Sequence, residues 1–139
     1  MTTRPFIVQP QSYPTALDVL GAQITVLASN SATRSHEVTL QQGDEGVGPP
    51  PHCHPWDETF FVTRGLVTFE CAGQTTQARE GTLVHVPGGT MHAFRFGAGG
   101  GAMVEIDGRF GYALSRAVDR TGETIGMMVS GFFSILAGD

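Results

Sequence analysis

The sequence predicts an all-β fold: an antiparallel barrel or sandwich followed by short helices at the C-terminal end. Three observations carry this expectation. Nineteen glycines and eight prolines are spread through 139 residues without a fixed period, so they punctuate many short elements. The segments between them are short and rich in Val, Thr, Phe and Leu, and several alternate apolar with polar, as in Val67-Thr68-Phe69-Glu70 and Ala93-Phe94-Arg95-Phe96. After Asp107 the apolar period lengthens toward that of a helix. A chain of this length builds one core, so residues 1–139 are expected to form a single domain, with the barrel over about 17–107 and a helical tail over 108–139.

The strand-like segments, in order, are ALDVLGAQITVLAS, HEVTL, ETFFV, LVTFEC, TLVHV, HAFRF and AMVEI. Ala72-Gly73-Gln74 reads as a hairpin turn from LVTFEC into TTQAR, and Gly99-Gly100-Gly101 as a flexible turn between the last two strands. In the tail, Phe110, Ala113, Leu114, Ala117 and Val118 recur at helical spacing, and Ile125, Met128, Val129, Phe132, Phe133 and Leu136 repeat it more regularly. Thr121 to Thr124 break the two, and the expected role of both is to plug one end of the barrel. Gly126 and Gly131 lower the helical propensity of the second segment, which leaves a strand open there.

Composition removes several function classes. Hydrophobic residues make up 40% and charged residues 15%, which is too apolar for a disordered chain. All eight basic residues are arginines, so neither a Schiff-base lysine nor a P-loop lysine exists. The arginines (Arg4, Arg34, Arg64, Arg79, Arg95, Arg109, Arg116 and Arg120) are scattered and the net charge is −5, which predicts no nucleic-acid partner. The opening MTTRPFIVQP lacks the apolar run of a secretory signal. The longest apolar stretch, Ile125 to Leu136, is about half the roughly 20 residues that span a bilayer. The expectation is a soluble, cytoplasmic protein whose two cysteines, Cys53 and Cys71, need not pair.

The chemistry lies in two blocks. The first runs from Gly46 through His52, His54 and Glu58 to Gly65. On an extended chain His52 and His54 leave the same face while Cys53 points the other way. An irregular Pro55-Trp56-Asp57 crossing then returns Glu58 to the two rings. The second block, Gly81 to His92, supplies a third imidazole just past a Pro/Gly turn. Three neutral imidazoles and a carboxylate suit a divalent transition ion and leave two positions of an octahedron for water, dioxygen or a substrate oxygen.

In these residues the chain closely resembles the cupin superfamily. The first motif, G-x5-H-x-H-x3-E-x6-G, is met at Gly46, His52, His54, Glu58 and Gly65. The second, G-x5-P-x-G-x2-H-x3-N, is met at Gly81, Pro87, Gly89 and His92, but Phe96 stands where the pattern has asparagine. The resemblance covers about Val38 to Ile106. It implies an antiparallel double-stranded β-helix, the cupin jelly-roll barrel, with one divalent transition ion per chain held by His52, His54, Glu58 and His92. Iron, manganese or nickel is expected, and zinc, cobalt or copper also fits the donor set. Phe96 argues against an oxalate oxidase of the germin type, because an apolar ring donates no hydrogen bond.

Strand parity extends the site. If Glu58 and His92 point inward, so do Phe60, Phe94 and Phe96, and Met103 and Met91 are expected to join them beside Trp56. Two readings of these rings stand: a pocket for an apolar or aromatic small molecule with an oxygen for the metal, or filling for a narrow barrel. Asp57 is either an acceptor for an imidazole N–H or an exposed turn residue. The chain most resembles small single-domain cupins with quercetin-dioxygenase-like sequences, and that resemblance implies a mononuclear metal-dependent enzyme in which Glu58 is both ligand and proton acceptor. The alternatives are a non-catalytic metal- and ligand-binding protein and a metal-dependent lyase or isomerase. An enzyme needs a further acid or base, for which His85, Glu105 and Tyr112 are the candidates. Apolar positions ahead of the motifs (Phe6, Ile7, Val8, Leu17, Val19, Ile24, Val26, Leu27), together with the resemblance, predict a homodimer.

Overall fold

The computed structural model describes residues 3–108. The two tail helices expected over 108–139, and with them Tyr112, lie beyond its last described residue, Gly108. Among the described residues there are seven strands: β1 (Leu17–Val19), β2 (Ala22–Ala28), β3 (Glu37–Gly43), β4 (Glu58–Cys71), β5 (Gln74–Arg79), β6 (Leu83–Val86) and β7 (His92–Asp107). They are hydrogen-bonded in the order β1-β2-β3-β7-β4-β5, with β6 also on β4, and every pairing is antiparallel. This is the all-β antiparallel barrel that the sequence predicts. Two short helical turns, Pro10–Ser12 and α1 (Asn30–Thr33), were not foreseen; Ser29 caps α1 by accepting from the Ala32 N–H.

The expected separation of ETFFV from LVTFEC, and of HAFRF from AMVEI, does not occur. Each pair is one continuous strand, because β4 and β7 pair along their whole length, from Glu58↔Asp107 to Cys71↔His92. The register shifts near Gly65, opposite Gly97 to Gly101, and there the ribbon bends. Gly65 has φ +71°, and a Cβ on it would lie 2.2 Å from the Gly100 carbonyl oxygen, so only glycine fits the bend. The triple glycine is thus a bulge in a strand rather than a turn between two.

The bend sets the two halves of the ribbon against each other as barrel walls. The first wall joins the Glu58 half of β4 and the Asp107 half of β7 to β3, β2 and β6. The second joins the Cys71 half of β4 and the His92 half of β7 to β5 and to the segment around Val47, which exchanges backbone hydrogen bonds with Phe96. Val19, Ile24, Phe60, Val62, Val67, Phe69, Phe94, Phe96 and Met103 fill the space between.

Candidate metal centre

The two ends of the bent ribbon meet at the centre of the motifs. Glu58 opens β4 and His92 opens β7, so residues 34 apart in sequence face each other across the interior. His52 is tied to His92 by reciprocal backbone hydrogen bonds of 2.9 Å, which continues the second wall into the first motif. The two motif loops are bound together directly. Gly88 N–H donates to Asp57 Oδ1 (2.8 Å) and Gly89 N–H to the His54 carbonyl (2.8 Å). A Cβ on Gly88 would sit 2.4 Å from the Pro55 carbonyl oxygen, so this approach needs glycine. Asp57 therefore bridges the loops and does not accept from an imidazole.

Each imidazole is oriented by a backbone carbonyl. Nδ1 of His52 meets the Pro50 carbonyl at 2.8 Å, that of His54 the Trp56 carbonyl at 3.1 Å, and that of His92 the Thr90 carbonyl at 2.7 Å. A carbonyl only accepts, so each Nδ1 carries the proton and each Nε2 is a bare lone pair. The three Nε2 atoms are buried without hydrogen-bond partners. One ligand atom from each of His52, His54, Glu58 and His92 lies within 4.8 Å of all the others. Glu58 Oε1 contacts His54 Nε2 and stands 3.4 Å from His92 Nε2. Burial lowers the pKa of His52, and burial with the neighbouring imidazoles lowers that of His54 to about 4. Both rings are neutral at pH 7. Three orphaned nitrogens converging on a carboxylate fit a divalent ion, which satisfies all four atoms at once.

The remaining site candidates divide. Trp56 is buried and stacks on His54, with centroids 4.1 Å apart and planes 5° from parallel. Phe60, Phe94, Phe96 and Met103 are buried, and the three rings pack into one cluster with Phe69. Met91 does not join them. It is 53% exposed and lines an outer cavity of about 240 Å³ with Pro51, Glu70 and Thr75. Alternation explains this: with His92 inward, its neighbour must point out. His85 is likewise exposed, bonded to Thr59 Oγ1 at 2.9 Å on the outer face. Cys53 is exposed and Cys71 half-buried, both as free thiols.

The largest departure is the first wall. Instead of an aromatic and aliphatic lining around one polar focus, Glu37, Thr39, Gln41, Glu105 and Asp107 are buried there beside Glu58. Gln41 Nε2 contacts Glu105, and Glu58 is hydrogen-bonded to Glu105. Burial first, then Glu105 and Asp107, raise the Glu58 pKa well above the ordinary carboxylate value. Sequence reading named Glu105 as a candidate acid or base but missed Glu37, Thr39, Gln41 and Asp107, because β3 and the end of β7 are inverted. In Glu37-Val38-Thr39-Leu40-Gln41 the polar set faces in, while Val38 and Leu40 face out. The available signal was pairing: Glu58 lies opposite Asp107, and Asp107 opposite Glu37, so inward Glu58 carries the others with it.

An uncharacterized protein of Streptomyces coelicolor is 34% identical over 61 residues, 44% of this chain, and the match spans 58% of that relative's length. Among solved structures, KdgF from a Halomonas species superposes with a TM-score of 0.69 at 18% identity, covering 76% of this chain and 94% of its own. An RmlC-like cupin from Shewanella frigidimarina reaches 0.68 at 15% identity, covering 78% and 95%. A predicted oxalate decarboxylase from Thermotoga maritima reaches 0.65 at 14% identity, covering 74% and 98%. At such identities the likeness is one of fold. The Cupin domain family matches residues 36–107, just over half of the chain and both motif blocks, and the chain belongs to that family.

Proposed function

We propose that the protein is a mononuclear metal-dependent enzyme acting on a small oxygen-bearing molecule, an oxidoreductase of the dioxygenase type. Its ligands are His52, His54, Glu58 and His92. The observation that carries this reading is the convergence of three unpartnered, buried Nε2 atoms on one buried carboxylate. An iron, manganese or nickel ion held there supplies Lewis acidity toward a substrate oxygen and a position for dioxygen. The chain supplies the rest. Backbone carbonyls lock the three rings, and Trp56 covers one face of His54. Glu58, which adjoins the Glu105 carboxyl, is positioned to take a proton from the substrate and pass it to Glu105. The interior presents both the packed rings of Phe60, Phe94 and Phe96 and the polar side chains of Gln41 and Glu105, which suits a small molecule that is part apolar and part polar.

Glu105 also favours a second reading, a lyase or isomerase. The Glu58–Glu105 pair offers an acid and a base without any need for oxygen. The deciding experiment is elemental analysis of anaerobically prepared protein with an oxygen-electrode screen of flavonols, catechols and diketones, run beside anaerobic product analysis. Oxygen uptake supports the dioxygenase; turnover without oxygen supports the lyase or isomerase. Absence of both leaves a metal- and ligand-binding protein and refutes the enzyme.

We also propose a cytoplasmic homodimer. Two free thiols, one of them exposed, fit a reducing compartment. Among the N-terminal apolar residues Val19 and Ile24 are spent inside the barrel, but Phe6 and Ile7 are exposed, as are Phe61, Leu83 and Ile106 on the outer face of the first wall. Light scattering at micromolar concentration is expected to give twice the chain mass, and a monomer mass refutes the pairing.

A further inference from the structure

We infer that the outer face of the first wall is a docking surface for the chain's own C-terminal segment, residues 109–139, which lie beyond the described residues. The segment then covers a wall of the barrel and not one of its ends.

The patch follows from register. One outward row runs Leu40, Val104, Phe61, Leu83 across β3, β7, β4 and β6, and the next runs Val38, Ile106, Thr59, His85. No Asp, Glu, Arg or Lys stands in either row. Phe61, Leu83 and Ile106 are 45%, 61% and 43% exposed, and Val38, Leu40 and Val104 are half-buried. Apolar surface gathered on one sheet face is costly to leave in water. Four strands about 4.8 Å apart and two rows make a patch on the order of 300 Å², well short of the roughly 800 Å² that each partner of a stable complex buries. That size suits one segment better than a second copy, and it leaves Phe6 and Ile7 to the pairing proposed above. The chain also leaves the barrel beside the patch. Ile106 is the last outward residue of β7, and the Gly108 N–H is held by the Asp57 carbonyl at 3.0 Å. Residues 109–139 follow, and within them the stretch 124–138, TIGMMVSGFFSILAG, carries no charge, as the face carries none. Residues 109–123 reach at most about 50 Å, whereas β6 at the far edge of the patch is two strands, or about 10 Å, from β7. The barrel core is already filled by Phe60, Phe96 and Met103, each no more than 1% exposed, so the apolar stretch has no place inside it. A tethered segment meets the face at a high effective concentration, an advantage that a separate molecule lacks.

The test uses the full chain with the photoprobe p-benzoylphenylalanine in place of the exposed Leu83. After irradiation, trypsin releases the end of the segment as one peptide, residues 121–139. Incubating natural-abundance and nitrogen-15-labelled protein together separates links within a chain from links between chains. The expected product joins the position-83 peptide to 121–139 with a single isotope throughout. Adding Phe132→Asp and Phe133→Asp should abolish that link, because a carboxylate is not tolerated against an apolar face. The same photoprobe in place of Gln77, which pairs with Thr68 and faces out from the second wall, should give no link to 121–139. Mixed-isotope links from position 83 to barrel peptides would put a second copy on the face and overturn the inference. Mixed-isotope links to 121–139 would overturn the same-chain occupant in favour of the partner's segment. Equal yield from position 77, a link that survives the two aspartates, or no link at all would each overturn the docking surface.

Discussion

The two halves of the β4–β7 ribbon are made by the same two strands, and both bury apolar side chains, but only one of them adds a row of buried carboxyls. Beyond the bend, Val67, Phe69, Phe94 and Phe96 face inward and pack ring against ring. Before it, Phe60, Val62 and Met103 face inward together with Glu58, Glu105 and Asp107 and with Glu37, Thr39 and Gln41 from β3. The aromatic wall stabilises the barrel through burial and packing. The polar wall works against stability, since buried carboxyls cost free energy unless paired, protonated or bound to a cation. Because the bend brings the walls face to face, the second can support a site that the first would not stabilise alone. The division of labour is between halves of a strand rather than between elements.

Replacing His52 and His54 together by alanine should have the largest effect. The imidazole centre should lose several orders of magnitude in nickel affinity while far-ultraviolet circular dichroism and the melting transition persist, because neither ring belongs to the apolar cluster. Unchanged nickel content would remove the centre and with it the functional half of the contrast. Phe96→Ala tests the other wall. Phe96 is 1% exposed and lies edge-on to Phe94, so truncation should cost about 3–5 kcal/mol in denaturant unfolding and leave metal affinity unchanged. A small loss would mean that the ring lines a ligand pocket instead of filling the barrel.

The next effect depends on pH. Burial raises the Glu37 pKa from 4.5 to about 7, the Asn30 N–H lowers it in part, and Glu105 adds to the rise. A pKa raised by folding means that the protonated form is favoured. The contribution of this group is therefore fully present below pH 4.5 and is lost as pH climbs through 7. In chelator-treated protein the wild type should fall relative to Glu37→Gln by roughly 3 kcal/mol at most between pH 4.5 and 8. Parallel pH profiles for the two proteins would show that the polar wall does not strain the fold through this carboxyl.

How much of this was legible varies by residue. The convergence of His52, His54, Glu58 and His92 was readable because they sit at fixed spacings on short extended segments, where alternation sends a side chain to one face. His85 and Met91 were readable on the same ground, and the inclusion of Met91 in the pocket went against its own parity. Glu105 was readable as a candidate acid or base, and its parity with Met103 sends it inward; the inward Gln41 was not readable, since Val38-x-Leu40 presents an equally regular apolar face and local pattern assigns that face to the core. Which face turns inward is settled by the partner strand.

The sequence by itself determined the strand-rich class, the family motifs and the identity of the four converging residues, since these depend on local periodicity and short spacing. Only the tertiary structure decided that two pairs of apparent strands are one bent ribbon, because a bulge is defined by pairing across the ladder and Gly99-Gly100-Gly101 serves a bend as well as a turn. It also decided that the barrel interior beside the centre is carboxyl-rich. One inward residue, Glu58, fixes the facing of Asp107 and Glu37 through register, and register is a relation between strands that no single segment contains.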